Sequence, residues 1–327
     1  MTKIPPSFAE MLQARSFLQK HYLQTPLYPA PRLSRSDGGK VYVKYENHGP
    51  VRSFKARGAL YRLSLLKDAE RRRGVVTAST GNHGQGIAYA GGVLGVPTTI
   101  FVPEGSPPLK TENIRALGGT LRVVGKVLRE AEEEAKSLAR RDGMVFIEDG
   151  DDAGLMAGAG TIAWEILGEL PTVSAIVVPV GGGNLIAGIA LVAKRLRPEL
   201  RIIGVQSAQA PAVYRSWREK AVCEAECTTT AGGLATSRPG MLAFDVIKDL
   251  VDSMILVSDD ELDRAILTVL DATGQIAEGA GAAPFAALEK LDPEPVTDGT
   301  VLILSGGNLP VSDLRRILAA DRARPTA

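Results

Sequence analysis

Short apolar runs alternate with segments of helical period along almost the whole chain, and this alternation constrains the fold more than any other feature. VYVKY (41–45), GVVTA (74–78), TTIFV (98–102), TLRVV (120–124), MVFIE (144–148), AIVVPV (175–180), RIIGV (201–205), MILV (254–257) and TVLIL (300–304) read as strands. Between most of them lie amphipathic stretches such as IAYAGGVLG, LKTENIRALG and VLREAEEEAKSLARR. Strands apolar on both faces and bounded by helices predict parallel sheets covered on both sides. Nine strands are too many for one small domain, and 327 residues at ~150 per domain also suggest two lobes. The expected class is α/β, two lobes each with a mostly parallel sheet covered by helices. Ser258 and Glu261 open one helix with the spacing of a capping box, a structural signal that carries no chemistry.

Charge and cysteine content narrow the partners. Lys and Arg number 38 against 37 Asp and Glu, a net charge of +1, which gives no field to draw in a polyanion. Nucleic acid is not an expected partner. Two cysteines, Cys223 and Cys227, cannot form a disulfide framework in a chain of this length, and no third Cys or His stands near them to complete a zinc site. No metal is expected. The segment MTKIPPSFAEML lacks the apolar region of a signal peptide, so the cytoplasm is the expected location. Residues 175–193 carry no charge over nearly the ~20 residues of a membrane span. Pro179, the glycine run and Asn184 interrupt them, so a strand, a loop and a helix that turns polar at Lys194 is the better reading. Membrane association is not expected. The run Glu130, Glu132, Glu133 and Glu134 is interleaved with Lys126, Arg129 and Lys136, and reads as a solvated helix face.

Four segments at strand ends, where α/β proteins bind ligands, carry the chemistry. SFKARGA (53–59) puts Lys55 at the start of a helical run, beside Phe54. Taken alone this is an ordinary surface lysine, but a helix N-terminus prefers anions, and an uncharged amine, as in a Schiff base, suits the position better. STGNHGQG (79–86) joins a strand to a helix through small residues whose N–H groups can approach a carboxylate. Asn82 there serves equally as a helix cap or as a donor to a phenolate-type oxygen. PVGGGNL (179–185) is again a strand, a glycine loop and a helix start, the arrangement that cradles a phosphate. It is neither the dinucleotide nor the P-loop pattern, which leaves a monophosphate as its guest. LSGGN (304–308) sets the Ser305 hydroxyl at the end of the last strand beside two glycines. One ligand needs an amine-reactive aldehyde, a phenolic oxygen, a phosphate and a ring nitrogen together: pyridoxal 5′-phosphate.

In this order and spacing, SFKARGA, STGNHGQG, PVGGGNLIAG and LSGGN resemble the fold type II pyridoxal-phosphate enzymes, the tryptophan-synthase-β-like class. Within it the chain is most similar to the threonine/serine dehydratase and serine racemase branch, from Thr25 to Asn308. AGAGTIAWEIL, AGGLATSRPG and AEGAGAAPFAAL are weaker landmarks. The resemblance implies that Lys55 links the cofactor and later takes the substrate α-proton. It implies that Phe54 borders the ring, that Asn82 bonds the ring oxygen, and that Gly181, Gly182 and Gly183, with Asn184 beside them, hold the phosphate. Ser305 would face the ring nitrogen, with Gly233 and Glu278 near the cofactor. Ser79, Thr80, Gly81, Asn82 and His83 would receive the substrate. A neutral hydroxyl at the ring nitrogen makes a weaker electron sink than a carboxylate there, which suits prompt loss of a β-substituent.

The departures from the family pattern bear on substrate and reaction. Asn184 stands where relatives have a fourth glycine, and Thr80 where the racemases have the serine that serves as their second base. Gln206 and Ala212 replace acidic residues of the racemase metal site. Glu148 and Asp149 replace a His-Pro or Pro-containing pair near where a substrate side chain would sit. The expected activity is dehydration and deamination of a 3-hydroxy amino acid such as L-threonine or L-serine to a 2-oxo acid and ammonia. A serine or aspartate racemase and a β-replacement synthase are the alternatives. The expected division is residues 1–73 and 152–327 as a large cofactor-binding domain and 74–151 as a small mobile one carrying the substrate-carboxylate loop. The expected partners are a small amino-acid substrate and a second copy of the chain, as a homodimer. Regulation is expected to be slight, since only a short polar helical tail follows LSGGNLP.

Overall fold

The computed structural model describes residues 4–34, 39–291 and 299–322. Its strands are β1 (Leu27–Pro29), β2 (Val41–Tyr45), β3 (Val75–Ala78), β4 (Thr98–Val102), β5 (Thr120–Val123), β6 (Val145–Phe146), β7 (Ala175–Pro179), β8 (Arg201–Ser207), β9 (Ser253–Val257) and β10 (Thr300–Leu304). They form two sheets. The larger has the order β1-β2-β10-β7-β8-β9, the smaller β5-β4-β3-β6. Among the described strands every pairing is parallel except β1 with β2. The fold is α/β as expected, and all nine apolar runs form strands. The uncharged 175–193 stretch is β7 followed by the first turns of the helix Asn184–Leu196, and no described helix is long and apolar enough to cross a membrane.

Both faces of the larger sheet are covered, which is why its strands read as unbroken apolar runs. Along β7 the side chains alternate. Ile176 and Val178 pack with Ile202, Ile303 and the helices Ala153–Glu169 and Asn184–Leu196. Val177 turns the other way, into a core with Ile203, Leu302, Ala282 and Ile266. The smaller sheet is also double-faced: Val76 and Phe101 meet Leu138, and Ile100 and Val102 meet Ala88 and Ile114. A further cluster joins the two halves, with Leu60 and Leu63 of the Lys55–Ser64 helix packed against Val75, Ile87 and Ile147. The capping box is present: the Ser258 hydroxyl accepts from Glu261 N–H, and Glu261 accepts from Ser258 N–H.

Register brings the ligand loops to one level. Leu304 pairs with Tyr45, and Val177 with Leu302, so β2, β7 and β10 end side by side. The loops after them carry Lys55, the glycine run and Ser305.

Candidate active site

The approach to Lys55 is stitched to the loop after β10. Phe54 N–H donates to the Ser305 carbonyl (3.0 Å), Gly307 N–H to the Arg52 carbonyl (2.9 Å) and Glu278 N–H to the Gly306 carbonyl (3.1 Å). Lys55, Ser305 and Glu278 are therefore positioned by one backbone-bonded unit. The helix begins at Lys55, after Phe54, with no side-chain cap. Its ammonium lies 5.3 Å from the centre of the Phe54 ring and donates to Asp149 Oδ1 at 2.5 Å.

Across the cleft, β3 leads into the helix Asn82–Leu94 through residues 79–81, with Gly81 as an N-cap that has no side-chain bond. Neither Thr80 nor Asn82 caps this helix. Ser79 Oγ accepts from Gly81 N–H at 3.2 Å. Asn82 instead spends its amide across the cleft: Nδ2 donates a short bond to Glu278 Oε1, and Oδ1 accepts from Asn308 Nδ2 at 2.8 Å. His83 is buried, with Nε2 3.1 Å from Thr77 Oγ1 and Nδ1 3.7 Å from Asp149 Oδ1. Burial holds its imidazole below the ordinary histidine range, outweighing the nearby Asp149 carboxylate, so the ring is neutral near pH 7.

The glycine run after β7 is built for close backbone approach. Gly183 has φ +108°, and a Cβ on Gly181 would stand 2.4 Å from the Gly233 carbonyl oxygen. The run opens the helix Asn184–Leu196, so the partial positive charge of that end faces the loop. Segment 149–151 is tied to it: Gly240 N–H donates to the Gly182 carbonyl (3.0 Å), and Leu242 N–H to Asp151 Oδ1 (2.8 Å).

All the residues expected from the sequence, from Phe54 and Lys55 through Ser79, Thr80, Gly81, Asn82, His83, Gly181, Gly182, Gly183, Asn184 and Gly233 to Glu278 and Ser305, border one cleft of about 260 Å³. Two further charged groups line it. Lys110 has its Nζ 3.9 Å from Glu278 Oε2. It was legible, since it lies in the first turn of the helix Pro108–Ala116, where a cation is as misplaced as at Lys55. Asp149 stood out only as a departure from the family pattern; its pairing with Lys55 spans 94 residues and left no local signal. Among the described residues no cluster of three or more His, Cys, Asp or Glu could hold a metal ion.

The fold and this cleft define a pyridoxal-phosphate enzyme, and the chain belongs to the family described as pyridoxal-phosphate dependent enzyme, which it matches over residues 18–306. Its relatives include an L-threonine ammonia-lyase of Geobacter sulfurreducens, 39% identical over 316 residues, covering 95% of this chain and 79% of that one. The catabolic L-threonine dehydratase TdcB of Escherichia coli is 34% identical, with 96% of both chains covered. Among solved structures, threonine deaminase isoform 2 of Solanum lycopersicum superposes with a TM-score of 0.89 at 34% identity, covering 97% of this chain and 95% of that one. Maize serine racemase superposes with a TM-score of 0.89 at 27% identity, covering 98% of each.

The residues present fit the cofactor. An amine, a glycine cradle too tight for any Cβ at Gly181 and a neutral hydroxyl share one cleft. Asn184 Oδ1 is buried beside the cradle with no partner among the described residues, so its amide has unspent hydrogen-bonding capacity there.

Proposed function

We propose that this protein is an ammonia-lyase that converts L-threonine or L-serine to the corresponding 2-oxo acid and ammonia. The observation that carries this reading is that Lys55 and Ser305, held in one backbone-bonded unit, share a cleft with the glycine cradle and the STGNHG turn. L-threonine, the substrate in the names of the Geobacter sulfurreducens and Escherichia coli relatives, supports it. Bound pyridoxal phosphate supplies an electron sink for the pair released at the substrate α-carbon. The N–H groups of Gly181, Gly182 and Gly183 and the helix end behind them bind the phosphate, and Asn184 adds its amide. Phe54 borders the ring, with Gly233 and Glu278 beside it. Asn82 orients the ring oxygen, and the neutral Ser305 hydroxyl meets the ring nitrogen. Ser79, Thr80, Gly81 and His83 form the turn that takes the substrate carboxylate. Lys55 Nζ first secures the cofactor and then holds the α-proton. The β-hydroxyl departs as water, one water is taken up again on hydrolysis, and the products are 2-oxo acid and ammonia.

The same reading makes residues 74–151 a mobile domain that closes over the carboxylate, and the molecule a cytoplasmic homodimer. Sedimentation of purified protein at twice the mass of the 34.6 kDa chain checks the last point. The activity is tested by supplying the cofactor-loaded protein with L-threonine and L-serine and assaying 2-oxo acid and ammonia. Equal release of both products is expected, with turnover and the borohydride-fixable cofactor linkage both lost in Lys55→Ala. A linkage that persists in that variant would move the role to another lysine.

A further inference from the structure

Four fixed charges border the cleft among the described residues: Lys55, Lys110, Asp149 and Glu278. Glu278 is compensated within the wall, by Lys110 at 3.9 Å and by the Asn82 amide. Asp149 is not. Its ion-pair partner is Lys55 itself, at 2.5 Å, and Lys55 is the group the proposed function commits to the cofactor and the α-proton. His83, 3.7 Å away, is held neutral by burial and supplies no charge in its place. Asp149 is also accessible: its side chain keeps 38% of its surface open, in a segment fixed against the glycine loop.

We propose that Asp149 sets the charge class of the substrate, so that the cleft accepts 3-hydroxy amino acids with neutral side chains and rejects those with a second carboxylate. This inference rests on the reading of the cleft as an amino-acid site. If Lys55 Nζ reaches the α-carbon, a carboxylate 2.5 Å from that nitrogen lies within one side-chain length of it. A substrate β-carboxylate in the same partly desolvated cleft would face the Asp149 charge, and like charges there repel strongly enough to cost at least about tenfold in affinity after screening. The α-carboxylate meets the opposite field, the N-terminus of the helix Asn82–Leu94, so the cleft sorts the two ends of an amino acid by sign.

The test uses the cofactor-loaded protein and two readouts. In calorimetric titration, L-asparagine should bind at least about tenfold more tightly than the near-isosteric L-aspartate. In steady-state assays, kcat/KM for L-threonine should exceed that for L-threo-3-hydroxyaspartate by at least a similar factor. Asp149→Asn should shrink both gaps below about threefold, and Asp149→Glu should keep them. If Asp149→Asn does not take up cofactor, Asp149→Ser is read in the same way. Aspartate bound as tightly as asparagine by the unaltered protein, or a gap that survives loss of the charge, overturns the proposal, as does failure of both amino acids to bind. If neither threonine nor serine is consumed but the aspartate–asparagine gap is present and vanishes in Asp149→Asn, the proposed activity fails while the role of Asp149 stands.

Discussion

No part of the Arg57 side chain reaches solvent, although it lies two residues from Lys55 in the same motif. Its guanidinium donates to both Glu46 oxygens (2.8 and 2.9 Å) and both Glu165 oxygens (2.5 and 2.8 Å). Lys44, equally buried, pairs with Glu165 at 2.7 Å. Lys44 also meets Glu169, at 3.5 Å on the solvent side, so two cations serve three carboxylates. Desolvation works against the guanidinium charge, but Glu46 and Glu165 outweigh it and hold the proton more firmly than usual. Arg57→Met leaves carboxylates buried without their partner, and should cost about 3–5 kcal/mol in urea unfolding. Asp149 makes a second prediction. Desolvation pulls its carboxyl up, but the Lys55 ammonium, and then His83 once acid has protonated it, bring it down to about 2. An unfolded aspartate titrates near ~3.9, so in cofactor-free protein this pair stabilises fully above about pH 4, and the contribution is lost as pH falls toward 2. The pair is partly exposed and screened, so the acid limb should flatten in Asp149→Asn by no more than about 1 kcal/mol, read from unfolding at pH 2–5.

Helices and strands of the covered sheets were legible because burial on both faces leaves an unbroken apolar run. Where burial is partial the reading loosens. MVFIE shrinks to β6, an edge strand whose two residues are only half-buried. RIIGV extends two residues into β8, because Gln206 and Ser207 are buried as polar residues with partners: Gln206 accepts from Tyr214 N–H, and Ser207 donates to Asp259. β1 was missed. It is three largely exposed residues ending in Pro29, antiparallel at a sheet edge, with nothing apolar and periodic to announce it. The site divides in the same way. Loops at strand ends are local and could be read. Contacts between them could not: Asn82 meets Glu278 across 196 residues and Asn308 across 226. Close helix packing was equally silent. A Cβ on Gly188 would stand 2.3 Å from the Met156 carbonyl oxygen, backbone that cannot yield cheaply. Gly188→Ala should therefore force apart the helices Ala153–Glu169 and Asn184–Leu196 and cost roughly 1–3 kcal/mol or more in thermal unfolding.

At the scale of the molecule, Glu278 is where the halves meet, since Asn82 and Lys110 reach it from helices that cover the smaller sheet. Beside them the apolar cluster of Leu60 and Leu63 with Val75, Ile87 and Ile147 also joins the halves, so the proposed movement of 74–151 would have to slide over that cluster. A bound carboxylate that engages residues 79–83 should slow hydrogen exchange across 74–151 and leave β7 and β8 unchanged. Uniform slowing over both sheets would argue against a mobile domain.

A serine racemase superposes on the same fold, so the proposed elimination must be told apart from inversion at the α-carbon. On the proposed function, the feature that would separate the two reactions is Thr80, whose β-branch restricts how its hydroxyl can be aimed. The most direct test is to incubate the cofactor-loaded protein with L-serine in deuterated water. Pyruvate is then counted against D-serine carrying α-deuterium. Pyruvate and ammonia are expected in at least about tenfold excess over inverted serine. Inverted, deuterated serine equal to or exceeding pyruvate would contradict the proposed elimination.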